Sequence, residues 1–144
     1  MEDVDVIAVA RLHRDGQRYT DKRRQLLHLL AGAKGPLTIP DMLKRRRNLA
    51  QSSVYRNLVV LEMAGLVQKI VTRDEWARYE LAEDLTEHHH HLICSECGSV
   101  QDFVVSPRLE RSVDQAFAKI AEKTGFTNVN HRLDLVGVCP TCTT

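Results

Sequence analysis

His88-His-His-His-Leu-Ile-Cys94-Ser-Glu-Cys97-Gly98 is the stretch that decides how this chain is read. It contains one Cys-x-x-Cys hook, and a second follows at Cys139-Pro-Thr-Cys142; together they use every cysteine in the sequence. Two intervening residues let both thiolates of a hook turn toward one point. Two hooks therefore supply the four sulfurs of a closed, tetrahedral structural zinc site. The 41 residues between the hooks exceed the ~15–20 of a simple zinc ribbon. They have room for a strand, a helix and a strand, so the zinc would tie the last strand to the first. A redox disulfide is the rival use of such cysteines, but a thioredoxin-like site needs only one hook at a helix N-terminus.

The four histidines before the first hook offer harder nitrogen ligands. In a strand, alternate side chains face opposite sides. His89 and His91 would share one face, and His88 and His90 the other. Two separate sites can be fed this way, and each needs further donors. Glu80, Asp102, Glu110 and His131 are the candidates. His13 and His28 read as surface or core-edge residues.

Working upstream, Gln51-Ser-Ser-Val-Tyr-Arg-Asn-Leu58 has the character of a DNA-recognition helix. Val54, Leu58 and Leu61 repeat at helical spacing, and Gly65 ends the run. Ser52, Ser53, Tyr55 and Arg56 are the natural readers of base edges. Before it, Asp3 to His13 is amphipathic, and Thr20 caps a helix carrying Leu26, Leu27, Leu29 and Leu30. Thr38 caps a short helix that ends in Lys44-Arg-Arg-Arg47, where cations complement the helix dipole. After it, Val67–Thr72 and Trp76–Leu81 alternate as strands, with a hairpin turn at Arg73-Asp-Glu75. Three helices and a two-stranded wing give the order of a winged helix-turn-helix.

Ala82 to Glu87 is polar and acidic and reads as a linker. Downstream, Leu92-Ile93 and Val100–Val105 predict strands around the first hook. Pro107 opens a helix running to Lys123, with Val113, Phe117 and Ile120 as its apolar stripe and Gly125 as its stop. Val129–Val138 predicts a last strand that delivers the second hook.

A net charge of +1 hides an asymmetry: residues 1–80 carry 15 Lys+Arg against 10 Asp+Glu, and residues 81–144 carry 5 against 9. A basic first half suits phosphates, and an acidic second half suits cations. No apolar run reaches membrane-spanning length, and the acidic N-terminus lacks a signal-peptide core, which predicts a cytoplasmic protein without membrane contact. There is no Gly-rich phosphate loop, nucleophile elbow or His-Glu-x-x-His motif.

With these segments in view, the chain resembles the ferric uptake regulator (Fur) superfamily of bacterial metalloregulators. Matching segments are Arg18-Tyr-Thr20 with Arg23, Ser53-Val-Tyr-Arg56, Ala64-Gly-Leu-Val67, Ala77-Arg-Tyr-Glu80, His88–Cys94, Cys97-Gly98, His131-Arg-Leu and Gly137-Val-Cys139. The resemblance implies an α+β chain: a winged-helix DNA-binding domain over residues 1–82 and a small α/β dimerisation domain over 83–144. It implies a homodimer that binds an AT-rich palindromic operator in double-stranded DNA when a regulatory metal is bound.

By position, Cys94, Cys97, Cys139 and Cys142 match the family's structural zinc ligands. Glu80, His89 and His91 match the hinge sensing site, and Asp102 matches a carboxylate that completes it in the peroxide-sensing branch. His88, His90, Glu110 and His131 match a third site found in many members. Tyr55 and Arg56 match base-contacting residues, and Arg18 a basic residue that enters the minor groove. The chain departs from the pattern at Gly35-Pro-Leu-Thr38, where iron and peroxide sensors usually supply a histidine. It also lacks the zinc sensors' cysteine in place of Glu80 and their Asp near Gln68.

The expectation is therefore a metal-responsive repressor of metal-homeostasis genes, with structural zinc and a regulatory zinc or iron(II). The alternatives are a peroxide-sensing relative, a zinc-stabilised protein that does not bind DNA, or a metal buffer. An enzyme is not expected, because four cysteines leave a zinc no open position for substrate.

Overall fold

The computed structural model describes residues 2–72 and 76–143. Four helices come first: α1 (Glu2–Arg14), α2 (Asp21–Ala31), α3 (Ile39–Arg45) and α4 (Gln51–Met63). Thr20 caps α2 by accepting from the Arg23 amide, and Thr38 forms a reciprocal capping box with Asp41 at the start of α3. A two-stranded antiparallel wing follows, β1 (Val67–Val71) and β2 (Ala77–Leu81), with Gln68 opposite Glu80. The expected turn at Arg73-Asp-Glu75 lies outside the described residues. Leu37 adds an isolated bridge to Tyr79, which docks the α2–α3 connection onto the wing.

Helical spacing buries Leu26, Leu27 and Leu30 from α2 and Val54, Leu58 and Leu61 from α4. Ala8, Leu12, Met42, Leu66, Val67, Tyr79 and Leu81 join them in one core. That core ends at the wing.

The segment read as a linker contains a 3-10 turn (Glu83–Leu85). Beyond it lies a three-stranded sheet in the order β4-β3-β5, with β3 at His90–Cys94, β4 at Val100–Phe103 and β5 at Asp134–Gly137. β3 pairs antiparallel with β4 and parallel with β5. The parallel partner needs a crossover, and α5 (Pro107–Thr124) supplies it. A short α6 (Pro140–Thr143) follows the last strand. The last strand is shorter than the predicted Val129–Val138. It can be ladder-paired only against His91–Cys94, and the chain before it turns His131 elsewhere. The expected Val100–Val105 strand likewise stops at Phe103. No described helix is long and apolar enough to cross a membrane.

Candidate metal centres and DNA-recognition face

Among the described residues, three four-residue clusters could each hold a metal ion. The first gathers Cys94, Cys97, Cys139 and Cys142, all as free thiols. The parallel register sets Cys94 beside Gly137, and the Ser95 amide donates to the Gly137 carbonyl at 2.7 Å, which brings the second hook onto the first. Cys97 Sγ lies 3.8 Å from Cys139 Sγ. Zinc–sulfur bonds of ~2.3 Å give a tetrahedron with edges of about 3.8 Å, so the spacing fits. Amides of Cys97 and Cys139 point at Cys94 Sγ and pull its pKa down to about 6. Hydrogen bonding with Cys139 and Cys97 pushes Cys142 up to about 12. Four crowded thiols resist shared ionisation, and a cation at their centre removes that penalty.

The second cluster joins the two halves of the chain. Glu80, at the end of β2, is buried beneath His89 and His91. His91 Nε2 lies 2.8 Å from Glu80 Oε1, and His89 Nε2 lies 3.1 Å from Glu80 Oε2. Asp102 stands opposite His91 in the β3–β4 ladder, and its carboxylate oxygens sit 3.6 Å from His91 Nε2 and 3.8 Å from His89 Nε2. Its Oδ1 is buried without a hydrogen-bond partner. Burial and the neighbouring Glu80 charge raise the Asp102 pKa. Burial also pushes Glu80 up, but hydrogen bonds from His91 and Gln68, with the two imidazole charges, outweigh it and hold Glu80 low. Its bond to Glu80 is the largest influence on His91 and raises its pKa against burial. An orphaned buried carboxylate oxygen facing two imidazoles and a second carboxylate is a donor set suited to a divalent cation.

The third cluster lies on the other side of β3. His88 Nε2 is 3.3 Å from His131 Nε2, and Glu110 Oε2 is 3.1 Å from the same nitrogen. His90, almost wholly buried, pairs with Glu110 Oε1. That bond, the largest influence on Glu110, holds its pKa low. Alternation along the histidine run thus sends His89 and His91 one way and His88 and His90 the other.

Some neighbours were not picked out from sequence. Gln68 donates to Glu80 at 2.5 Å; its signal was the hairpin register that sets the two opposite. Asp114 lies 3.1 Å from His131 Nδ1, and Asp134 lies 3.7 Å from His91 Nδ1. Asp114 follows Glu110 by one helical turn, a visible spacing without an evident purpose. Gly35 abuts β4: a Cβ there would lie 3.2 Å from the Val100 carbonyl oxygen. The backbone of the first half thus touches the strand that carries Asp102.

Away from these clusters in the sequence, Ser52, Tyr55 and Arg56 lie exposed on the first turns of α4. With Gln51 and Ile39 they line a shallow concavity of about 730 Å³. Arg18 is exposed on the loop between α1 and α2. Ser53 corrects the sequence reading. It is buried against Asn57, one turn on, and does not share the exposed face.

The profile of the ferric uptake regulator family matches residues 14–136. The chain belongs to the ferric uptake regulator family. A peroxide operon regulator of Bacillus subtilis (strain 168) is 33% identical over 139 residues, covering 94% of this chain and 90% of that protein. A solved zinc-bound manganese uptake regulator is 31% identical with a TM-score of 0.64, covering 94% and 98% of the two chains. The Helicobacter pylori ferric uptake regulator, at 23% identity, shares the fold with a TM-score of 0.74 over 99% of this chain and 93% of its own. This ferric uptake regulator family member is a metal-sensing transcription regulator and not an enzyme.

Proposed function

We propose that this chain is a cytoplasmic, metal-activated repressor that works as a homodimer on an AT-rich palindromic operator. Residues 1–82 form the DNA-binding domain and residues 83–144 the metal-binding dimerisation domain. The cysteine cluster holds structural zinc. Glu80, His89, His91 and Asp102 form the sensing site, and His88, His90, Glu110 and His131 an auxiliary site. Tyr55 and Arg56, with Ser52, face the major groove, and Arg18 the minor groove.

The observation that carries this reading is the position of Glu80. It belongs to the wing of the DNA half, yet both of its carboxylate oxygens are engaged by imidazoles of the other half. A divalent cation held there, zinc, iron(II) or manganese by donor type, would supply one positive centre shared by both halves. Glu80 then holds the wing to β3, and Asp102 gains the partner it lacks. The orientation of α4 relative to its dimer mate is thereby fixed. Metal shifts the population toward the DNA-competent form only by its tighter binding to that form. Support for the homodimer comes from the apolar face left open on the second half: Ile120, Phe126, Leu135 and Val136 are all exposed, and β5 is an edge strand.

The test is binding to a DNA duplex selected from a randomised pool, against buffered free zinc, iron(II) and manganese. We expect one cation to raise affinity about tenfold or more. His89→Ala should lose that gain while keeping the cysteine-bound zinc and the dimer. A His89→Ala protein with a wild-type metal response would refute the sensing site.

Peroxide sensing is the second reading, favoured by Asp102 beside His89 and His91 and by the Bacillus subtilis relative. It predicts that peroxide releases the iron(II)-loaded protein from DNA and leaves the zinc-loaded protein bound.

A further inference from the structure

Arg23 belongs to the first turn of α2, close to both DNA-facing segments. Its Nε donates to Asn57 Oδ1 on α4 at 2.9 Å. Its Nη1 donates to the backbone carbonyl of Arg18 at 2.7 Å and to Gln17 Oε1 at 3.2 Å. Asn57 is fixed in turn, because its amide donates to the Ser53 carbonyl at 2.9 Å and to Ser53 Oγ at 3.2 Å. One planar guanidinium therefore connects the loop that carries Arg18 to the helix that carries Tyr55 and Arg56. These bonds all run to uncharged acceptors.

We infer that Arg23 and Asn57 are positioning residues for DNA recognition, a rigid brace that sets Arg18 at a fixed distance from the reading face of α4. This inference rests on the DNA-binding reading above. The physical need is plain. Residues 17–20 have no helical or strand backbone of their own, and Gly16, at a φ of 72°, gives the chain an abrupt exit from α1. A side chain on such a segment explores many positions. A specific contact needs it held to within roughly 0.5 Å, which takes supporting hydrogen bonds. Arg23 grips the backbone of Arg18 itself and leaves its side chain free for the groove. A lysine could not replace it, because a single ammonium lacks the planar fork that reaches Asn57 and the Arg18 carbonyl together.

The alternative use of an arginine at this place is a direct phosphate contact, and the two roles separate experimentally. Binding would be measured by fluorescence anisotropy on a duplex selected from a randomised pool by the wild-type protein. The protein would be saturated with the cation that gives the wild type its tightest binding, over a range of salt concentrations. The variants are Arg18→Ala, Arg23→Lys, Asn57→Ala and the Arg18→Ala/Arg23→Lys and Arg18→Ala/Arg23→Ala double variants.

As a brace, Arg23→Lys and Asn57→Ala should each weaken binding at least about fivefold, as should Arg18→Ala. Lysine keeps the charge, so the slope of affinity against salt is read where Arg23→Ala is added to Arg18→Ala, and there a brace leaves it unchanged. In the Arg18→Ala background, Arg23→Lys should change affinity by less than about twofold, because there is no longer a side chain to position.

Wild-type affinity for Arg23→Lys would overturn the brace. So would a full, additive loss in the Arg18→Ala/Arg23→Lys variant, or a salt slope lowered by about one further unit when Arg23→Ala is added to Arg18→Ala, which marks a lost phosphate contact. A wild-type protein that never binds the duplex with any cation would instead refute the DNA-binding reading itself. Unchanged thermal unfolding and zinc content in Arg23→Lys would separate a positioning loss from a folding loss.

Discussion

The two halves of this chain are held together by different physics. Residues 4–81 contain the whole buried apolar cluster, with Leu12, Leu26, Leu27, Met42, Leu58, Leu61 and Leu66 wholly excluded from solvent. From residue 86 on, Cys94 is the one buried apolar residue among those described, and the other buried side chains with strong character are His90 and His91. The 18-residue α5 buries none of its residues, and β5 is exposed along its length. The first half follows the usual rule that apolar burial offsets chain entropy. In the second half, three ligand clusters and an open apolar face stand where a core would be. In the function proposed above, such a half draws its stability from metal and from a second copy, which couples its folding to the ligand it senses.

The comparison breaks first at the cysteines. Cys139→Ser should abolish the folded second half and the dimer while the first half stays helical. Structural zinc in small modules contributes on the order of 10 kcal/mol of apparent folding free energy. Hydrogen exchange, read segment by segment, checks it; equal protection of both halves in the variant would erase the distinction drawn here.

A core truncation in the first half is the converse. Leu58→Ala should cost about 2–5 kcal/mol through lost burial and the cavity left behind. Zinc content and dimerisation should not change, and denaturant unfolding with parallel metal analysis would record both. Ile120→Glu sharpens the picture of the open face: a charge there should shift the dimer toward monomer in sedimentation while zinc stays bound. A monomeric wild type, or an unaffected variant, would remove Ile120 from the interface.

The smallest effect concerns Asp5, which accepts from Tyr19 at 2.5 Å and lies 2.8 Å from His28 Nε2. The bond from Tyr19, then that with His28, holds the Asp5 carboxyl below its ordinary value of 3.8. A depressed acid stabilises the fold above its unfolded value and loses that contribution as pH falls through the folded one. Asp5→Asn should therefore be less stable than the wild type at neutral pH, with the difference shrinking below about pH 4. A difference that stays constant down to pH 2 would mean the charge plays no part.

Much of this was legible along the chain because it depends on local spacing. Thr20 and Thr38 cap the helices where their sequence context placed them, and the helical repeat of Val54, Leu58 and Leu61 picked out the buried side of α4. Period-two alternation divided the four histidines between two faces, and two-residue gaps brought the thiols together, because both are set within a few bonds of backbone. Ser53 differs from Ser52 and Tyr55 because α4 has a buried side as well as an exposed one. The residue lies one position from core Val54, and the helix rotation that sends it to Asn57 is decided by packing.

What the sequence determined by itself is the set of elements, their order and the chemistry of the donors. What only the tertiary structure decided is which donors meet. Glu80 reaches His89 and His91 because the chain folds back on itself across the short turn at Glu83–Leu85. Asp102 joins them through ladder register, and Arg23 finds Asn57 and the Arg18 carbonyl because three separate segments pack at one corner. Contacts between residues distant in sequence carry no local periodicity. They follow from how whole surfaces fit, so the brace and the orphaned oxygen of Asp102 came into view only with the fold.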